Sequence, residues 1–194
     1  MTEIKHYLWL SQILLFSLLI VCCLIIPSVV IRNGGVSNFG NHLSTIVPYI
    51  LGFSLSIIFL CIAAYTLLKL NNNLWRMACL LLILGLLNLL VLLSTFPRHS
   101  SWTYSDIHDD IGIVLYAYEF LVSVWIVLKI KTSKSLLFIL IEAIGSIIGL
   151  LSILKIVHFL FIGQFVGALG FGLLLVTIFP VIIETRLAAL VSKA

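Results

Sequence analysis

Residues Leu74–Thr95 read LWRMACLLLILGLLNLLVLLST, a run whose one charge, Arg76, stands near its start. The hydrocarbon slab of a bilayer is about 30 Å thick and needs roughly 20 apolar residues per helix, with every backbone polar group satisfied inside that helix. This run meets the requirement, and five others resemble it: Tyr7–Ile31, Thr45–Leu68, Asp109–Leu128, Ser135–Leu154 and Val157–Ile183. With 62% of 194 residues hydrophobic and 9% charged, the expectation is an all-α, polytopic integral membrane protein. Its six-helix transmembrane bundle forms a single transmembrane domain over residues 1–194.

The breaks carry loop punctuation: Asn33-Gly34-Gly35, Asn71-Asn72-Asn73, Pro97 through Ser105, and Lys131-Thr132-Ser133-Lys134. The fifth break is only Lys155-Ile156, which predicts a tight hairpin between the last two spans. The first apolar run is far longer than the roughly 7–15 residues of a signal-peptide core and lacks a small-residue cleavage site, so it reads as a retained helix. No internal repeat or low-complexity linker interrupts the pattern.

Basic residues sit at the span ends. Eight of them (Lys5, Lys69, Arg76, Lys129, Lys131, Lys134, Arg186, Lys193) fall on one side, and three (Arg32, Arg98, Lys155) on the other. The positive-inside rule then places both termini in the cytoplasm of a multi-pass protein of the cell membrane. The basic excess is a topology signal and implies no nucleic-acid partner. Tyr7, Trp9, Trp75, Trp102 and Tyr104 fall near the predicted interfaces. Cys22, Cys23, Cys61 and Cys79 form no CxxC pattern and read as thiols buried in the spans.

The last two spans contain Gly145-Ser-Ile-Ile-Gly149 and Gly163-Gln-Phe-Val-Gly167. Small residues four apart let helix backbones approach closely, so Gly145, Gly149, Gly163 and Gly167 are candidate packing positions, within one chain or between protomers.

Polar chemistry gathers on the side away from the termini. The first loop supplies Asn38, Asn41 and His42, and the third supplies His99, Asp106, His108, Asp109 and Asp110. Imidazole and carboxylate are the usual ligands of divalent cations, which makes His42, His99 and His108 candidate metal ligands. The spacing matches no standard ligand pattern. Acidic residues at a helix N-terminus are also favoured by the helix dipole and by capping, so a solvated, capped rim explains them equally.

Within the spans the informative residues are Glu119 and Glu142. An ionisable group there costs at least about 2.5 kcal/mol on insertion scales and faces a partner, a cavity or water. At 1.5 Å per residue the two lie about 15 and 11 Å deep from opposite faces, at comparable levels on consecutive antiparallel helices. His108, Gly112, Leu115 and Glu119 fall on one helical face, a polar stripe from the loop to mid-membrane. Gln12, Asn88 and Gln164 are candidate hydrogen-bond partners for it.

Ser37-Asn-Phe-Gly40, Phe96-Pro97 and His108-Asp-Asp-Ile-Gly112 are similar to short motifs of two groups of six-helix proteins. One is the Frag/DRAM/Sfk membrane family, and the other is the bacterial family called domain of unknown function 998. In the first motif Asn38 stands where those families usually carry Asp. The resemblance implies membrane-lipid or glycolipid handling, or membrane sensing.

Three functions fit these residues. The first is a non-enzymatic or regulatory membrane protein associated with lipids or glycolipids, since no activated nucleophile is visible. The second is a metal-assisted lipid hydrolase or transferase built on the three histidines. The third is a small proton- or cation-coupled transporter using Glu119 and Glu142. Membrane lipids are the expected partners, and no cofactor is evident beyond that divalent metal. Enzymatic activity and oligomeric state are not legible in the sequence.

Overall fold

The computed structural model describes residues 2–31, 34–96 and 102–192, and among them it is helical without strands. The helices are α1 (Thr2–Ile25), α2 (Pro27–Ile31), α3 (Ile46–Leu70), α4 (Trp75–Thr95), α5 (Trp102–Lys129), α6 (Ser133–Ile153), α7 (Leu160–Thr177) and α8 (Phe179–Val191). Short 3₁₀ turns lie at Val36–Asn41 and Asn72–Leu74. Six helical stretches are long and apolar enough to cross a membrane, the last being α7 and α8 together over Leu160–Leu190. Large apolar side chains such as Leu24, Leu43, Tyr65, Leu121 and Leu128 point outward, a surface suited to hydrocarbon rather than water.

Several boundaries differ from the sequence expectation. The first span runs from Thr2 to Ile25 and not from Tyr7 to Ile31. Pro27 disfavours helical backbone at Ile26 and has no N–H to continue the ladder, so α2 is a separate turn. The Lys155-Ile156 hairpin is a six-residue connection, 154–159. In it Lys155 adopts a left-handed φ of 59°, and Ser152 Oγ accepts from Phe159 N at 3.2 Å. The helix of the fourth expected span, α5, begins earlier than Asp109, at Trp102. The last span breaks at Ile178, where Pro180 enters the first turn of α8.

Local chemistry sets the other ends. Thr132 caps α6 by accepting from Ser135 N at 3.1 Å, while Ser135 Oγ accepts from Thr132 N at 2.9 Å. Asn71 closes the turn into α4 by accepting from Asn73 N at 2.8 Å.

The helices pack unequally: α6 lies most extensively against α7, α1 against α3, and α3 against α4, whereas α5 is held more sparsely. The α6–α7 contact is made through glycine within this chain. A Cβ on Gly145 would lie 2.6 Å from Gly167 Cα, and one on Gly163 would lie 2.7 Å from Gly149 Cα. Backbones meet there directly, as small-residue packing in membranes requires.

The buried apolar residues form two clusters. Ile4, Leu8, Leu60, Leu67, Leu74 and Leu81 belong to the one nearer the termini. Leu19, Phe39, Tyr49, Phe53, Leu92 and Phe161 belong to the one beside the 36–41 turn.

Candidate functional site: a polar chamber around Glu119

A cavity of about 100 Å³ is lined by residues of α1, α3, α4, α5 and α7 and by the 36–41 turn. The α5 wall is His108, Gly112, Leu115, Tyr116 and Glu119. Steps of 4, 3 and 4 residues keep the stripe from His108 to Glu119 on one face of a 3.6-residue helix. Asn88 of α4 and Gln164 of α7 supply polar groups opposite, and Leu15, Phe53 and Phe165 supply apolar ones. A second cavity of about 20 Å³ shares Leu15, Asn88, Glu119 and Ala168 with the first and adds Gln12 and Ser56. The larger space has room for a few water molecules or a small ion, the smaller for about one water.

At the end nearer the loops, Ser94 Oγ donates to Val91 O at 3.0 Å. Its one proton being spent there, the hydroxyl accepts from His108 Nδ1, 2.8 Å away. His108 is thereby anchored to α4 with its ring buried at 5% exposure. Gln164 Oε1 accepts from Val36 N at 2.7 Å, tying the 36–41 turn to α7. Phe39 packs edge-on against Phe161 beside that bond. Thr45 Oγ1 donates to Phe39 O at 2.7 Å, and Tyr49 pairs with Thr95 at 3.1 Å, so the turn is held from several sides.

Glu119 is 8% exposed, and its carboxyl opens on both cavities with no hydrogen bond from another described residue. The amides expected to partner it line the same space, but their hydrogen bonds are made to other groups. Asn88 Nδ2 donates to Leu84 O of its own helix at 2.9 Å, Gln12 Nε2 donates to Ser11 Oγ at 3.1 Å, and Gln164 accepts from Val36. Nearer backbone and hydroxyl groups compete for each amide, and Glu119 is left facing the chamber.

The outer polar residues divide. His108 turns inward, Asn38 is half-buried in the 36–41 turn, and His42, Asp106, Asp109 and Asp110 are exposed. His99 lies outside the described residues. Among the described residues no three His, Cys, Asp or Glu side chains are grouped to hold a metal ion. Glu142 is buried on α6, outside both cavities.

Tyr116, Ser94 and Ser123 lie outside the polar set that the sequence indicates. A signal existed for Ser123, which extends the α5 stripe by a further four residues, and for Tyr116, three residues before Glu119. Ser94 and Ser37 come from other elements, and only folding brings them to α5. The chain matches no protein-family model, no curated protein and no solved structure.

Proposed function

We propose that this chain is a multi-pass protein of the cell membrane that takes a proton or a small monovalent cation into the chamber and binds it at Glu119. One observation carries the reading: a buried carboxyl, deep in a helix long and apolar enough to span a membrane, opens on a partly polar cavity instead of being tied to a neighbour. A charged carboxylate in hydrocarbon is costly, and a proton, a cation or water removes that cost. The larger cavity reaches Val36, Ser37 and His108 at its loop end. The chamber therefore supports entry from the His108 side.

The eight-to-three distribution of basic residues makes that side the outer one and the termini cytoplasmic. Lipid hydrocarbon is the partner of the exposed apolar girdle. The chamber's volume suits an ion or a few waters and not a lipid headgroup with its glycerol, so the lipid-handling reading draws no support from it.

The test is proton uptake by liposomes containing the purified chain, with a pH-sensitive dye inside and a potassium diffusion potential as driving force, repeated with sodium replacing choline outside at constant potassium. Glu119→Gln, which keeps shape and removes the titrating group, is expected to abolish flux while preserving the folded, monodisperse protein. Full flux in that variant refutes the reading.

A further inference from the structure

The chamber is walled largely by rings and carbon around one carboxyl. Phe16, Tyr49, Phe53, Tyr116 and Phe165 line it together with Glu119. The rings come from α1, α3, α5 and α7, so they stand on several sides of the space. They also hold one another in place: Phe16 meets Phe165 edge-on with centroids 5.2 Å apart, and Tyr49 lies against Phe53 at 4.8 Å. Among the described residues of this wall there is no Lys or Arg, and Glu119 is the one carboxyl. A carboxylate at Glu119 therefore finds no countercharge in the wall, and its counterion has to come from outside.

The chemistry of the wall narrows what that counterion is. A sodium or potassium ion leaves water for a set of oxygens that replace its hydration shell. Here Gln164 Oε1 already accepts from Val36 N at 2.7 Å, and Tyr49 Oη is bonded to Thr95 Oγ1 at 3.1 Å. Leu15, Leu19, Leu115 and Ala168 add carbon to the wall. An alkylammonium cation asks for fewer oxygens, because a carboxylate answers its charge while aromatic faces attract the cation and accept its methyl groups. Size fits as well: a cavity of about 150 Å³ holds benzene, so the chamber's 100 Å³ suits a cation of up to roughly four heavy atoms. Gly112 lies on the wall between His108 and Glu119, and a Cβ built on it meets nothing within 4 Å. Glycine weakens a helix interior. No packing demands it at this position, and what it leaves is room beside Glu119.

Resting on the reading of Glu119 as the group that binds a proton or cation, we infer that the chamber is a binding site for a small alkylammonium cation of the methylammonium to trimethylammonium class. The Glu119 carboxylate holds the charge, the aromatic rings hold the methyl groups, and Gly112 sets the largest cation admitted. A proton and an ammonium then compete for one carboxylate.

The experiment is equilibrium binding of radiolabelled methylammonium to the purified chain in detergent, with competition by unlabelled cations. Dimethylammonium is expected to displace the label, sodium and potassium to do so only at much higher concentration, and tetraethylammonium not at all. Glu119→Gln is expected to abolish binding. Phe165→Leu, which keeps an apolar side chain and removes a ring, is expected to weaken it by about tenfold, and Phe165→Tyr, which keeps the ring, to leave it near wild type. Gly112→Ala puts a methyl group into open space and strengthens the helix, so it folds. It is expected to weaken trimethylammonium binding about tenfold more than methylammonium binding. No methylammonium binding by a chain whose proton uptake depends on Glu119 overturns the ammonium site and leaves the uptake reading standing. Sodium or potassium displacing the label as readily as dimethylammonium overturns the choice of an ammonium. Full affinity in Phe165→Leu, or an unchanged order of affinities in Gly112→Ala, overturns the role given to that residue. Full proton flux together with unchanged methylammonium binding in Glu119→Gln overturns both readings.

Discussion

Ser94 Oγ of α4 lies 2.8 Å from Nδ1 of His108 of α5. The bond joins the sparsely packed α5 to a well-packed neighbour at the loop end of the chamber. Ser94→Ala removes it, at a net cost of about 0.5–1.5 kcal/mol, whereas Ser94→Thr keeps the hydroxyl. Thermal unfolding in detergent should show the alanine variant melting below wild type and the threonine variant close to it. Equal melting of all three would mean that the bond contributes nothing.

The glycines of the α6–α7 contact are not equivalent. Cβ atoms on Gly145 and Gly163 would run into the facing backbone, whereas one on Gly149 meets nothing within 4 Å and one on Gly167 makes only ordinary contacts from 3.6 Å. Gly145→Ala and Gly163→Ala are expected to destabilise by about 1–3 kcal/mol, since backbones must separate. Gly149→Ala is expected to be neutral or to stabilise by up to about 1 kcal/mol through helix propensity. Melting temperatures of the variants check the order, and a Gly149→Ala loss as large as that of Gly145→Ala would contradict the packing.

Gln164 holds the 36–41 turn over the chamber through Val36 N. Gln164→Leu leaves that backbone donor without its acceptor, at a cost of about 1–3 kcal/mol, and loosens the turn. A cysteine placed at Ser37 should then react faster with a polar maleimide than in the parent chain. Gln164→Glu retains an acceptor and should leave the rate near that of the parent. An unchanged rate in Gln164→Leu would show that the turn is held by Thr45 and the aromatic contacts alone.

Topology has its own check. With the four free cysteines, Cys22, Cys23, Cys61 and Cys79, replaced, a cysteine at Asn72 should be protected from an impermeant maleimide added outside intact cells. One at Ser44 should be labelled. Labelling at Asn72 would overturn the cytoplasmic placement of the termini.

Much of the architecture is visible in the chain itself. Six helices of spanning length follow from run length and hydropathy, because in hydrocarbon the backbone has no alternative partner and each apolar run must close its own hydrogen bonds. The close approach of α6 and α7 follows from glycine spacing, and the common face of His108, Gly112, Leu115 and Glu119 from helical periodicity. Hydropathy misplaces the ends near proline: an apolar run passes straight through Pro27 and Pro180, but the backbone ladder does not.

What lies opposite that face could be decided only by folding. Ser94 reaches His108, and Gln164 Oε1 takes the Val36 N–H, because a hydrogen bond between distant elements depends on which groups the packing brings within about 3 Å. Whether a buried carboxyl meets a partner or a cavity is equally non-local: Glu119 and Glu142 have the same chemistry and are both buried. One opens on a chamber because five helices and a turn leave space beside it. The other lies outside that space because Gly170 brings α7 against its backbone. Spacing along one chain specifies a face, and the volume in front of that face belongs to the other helices.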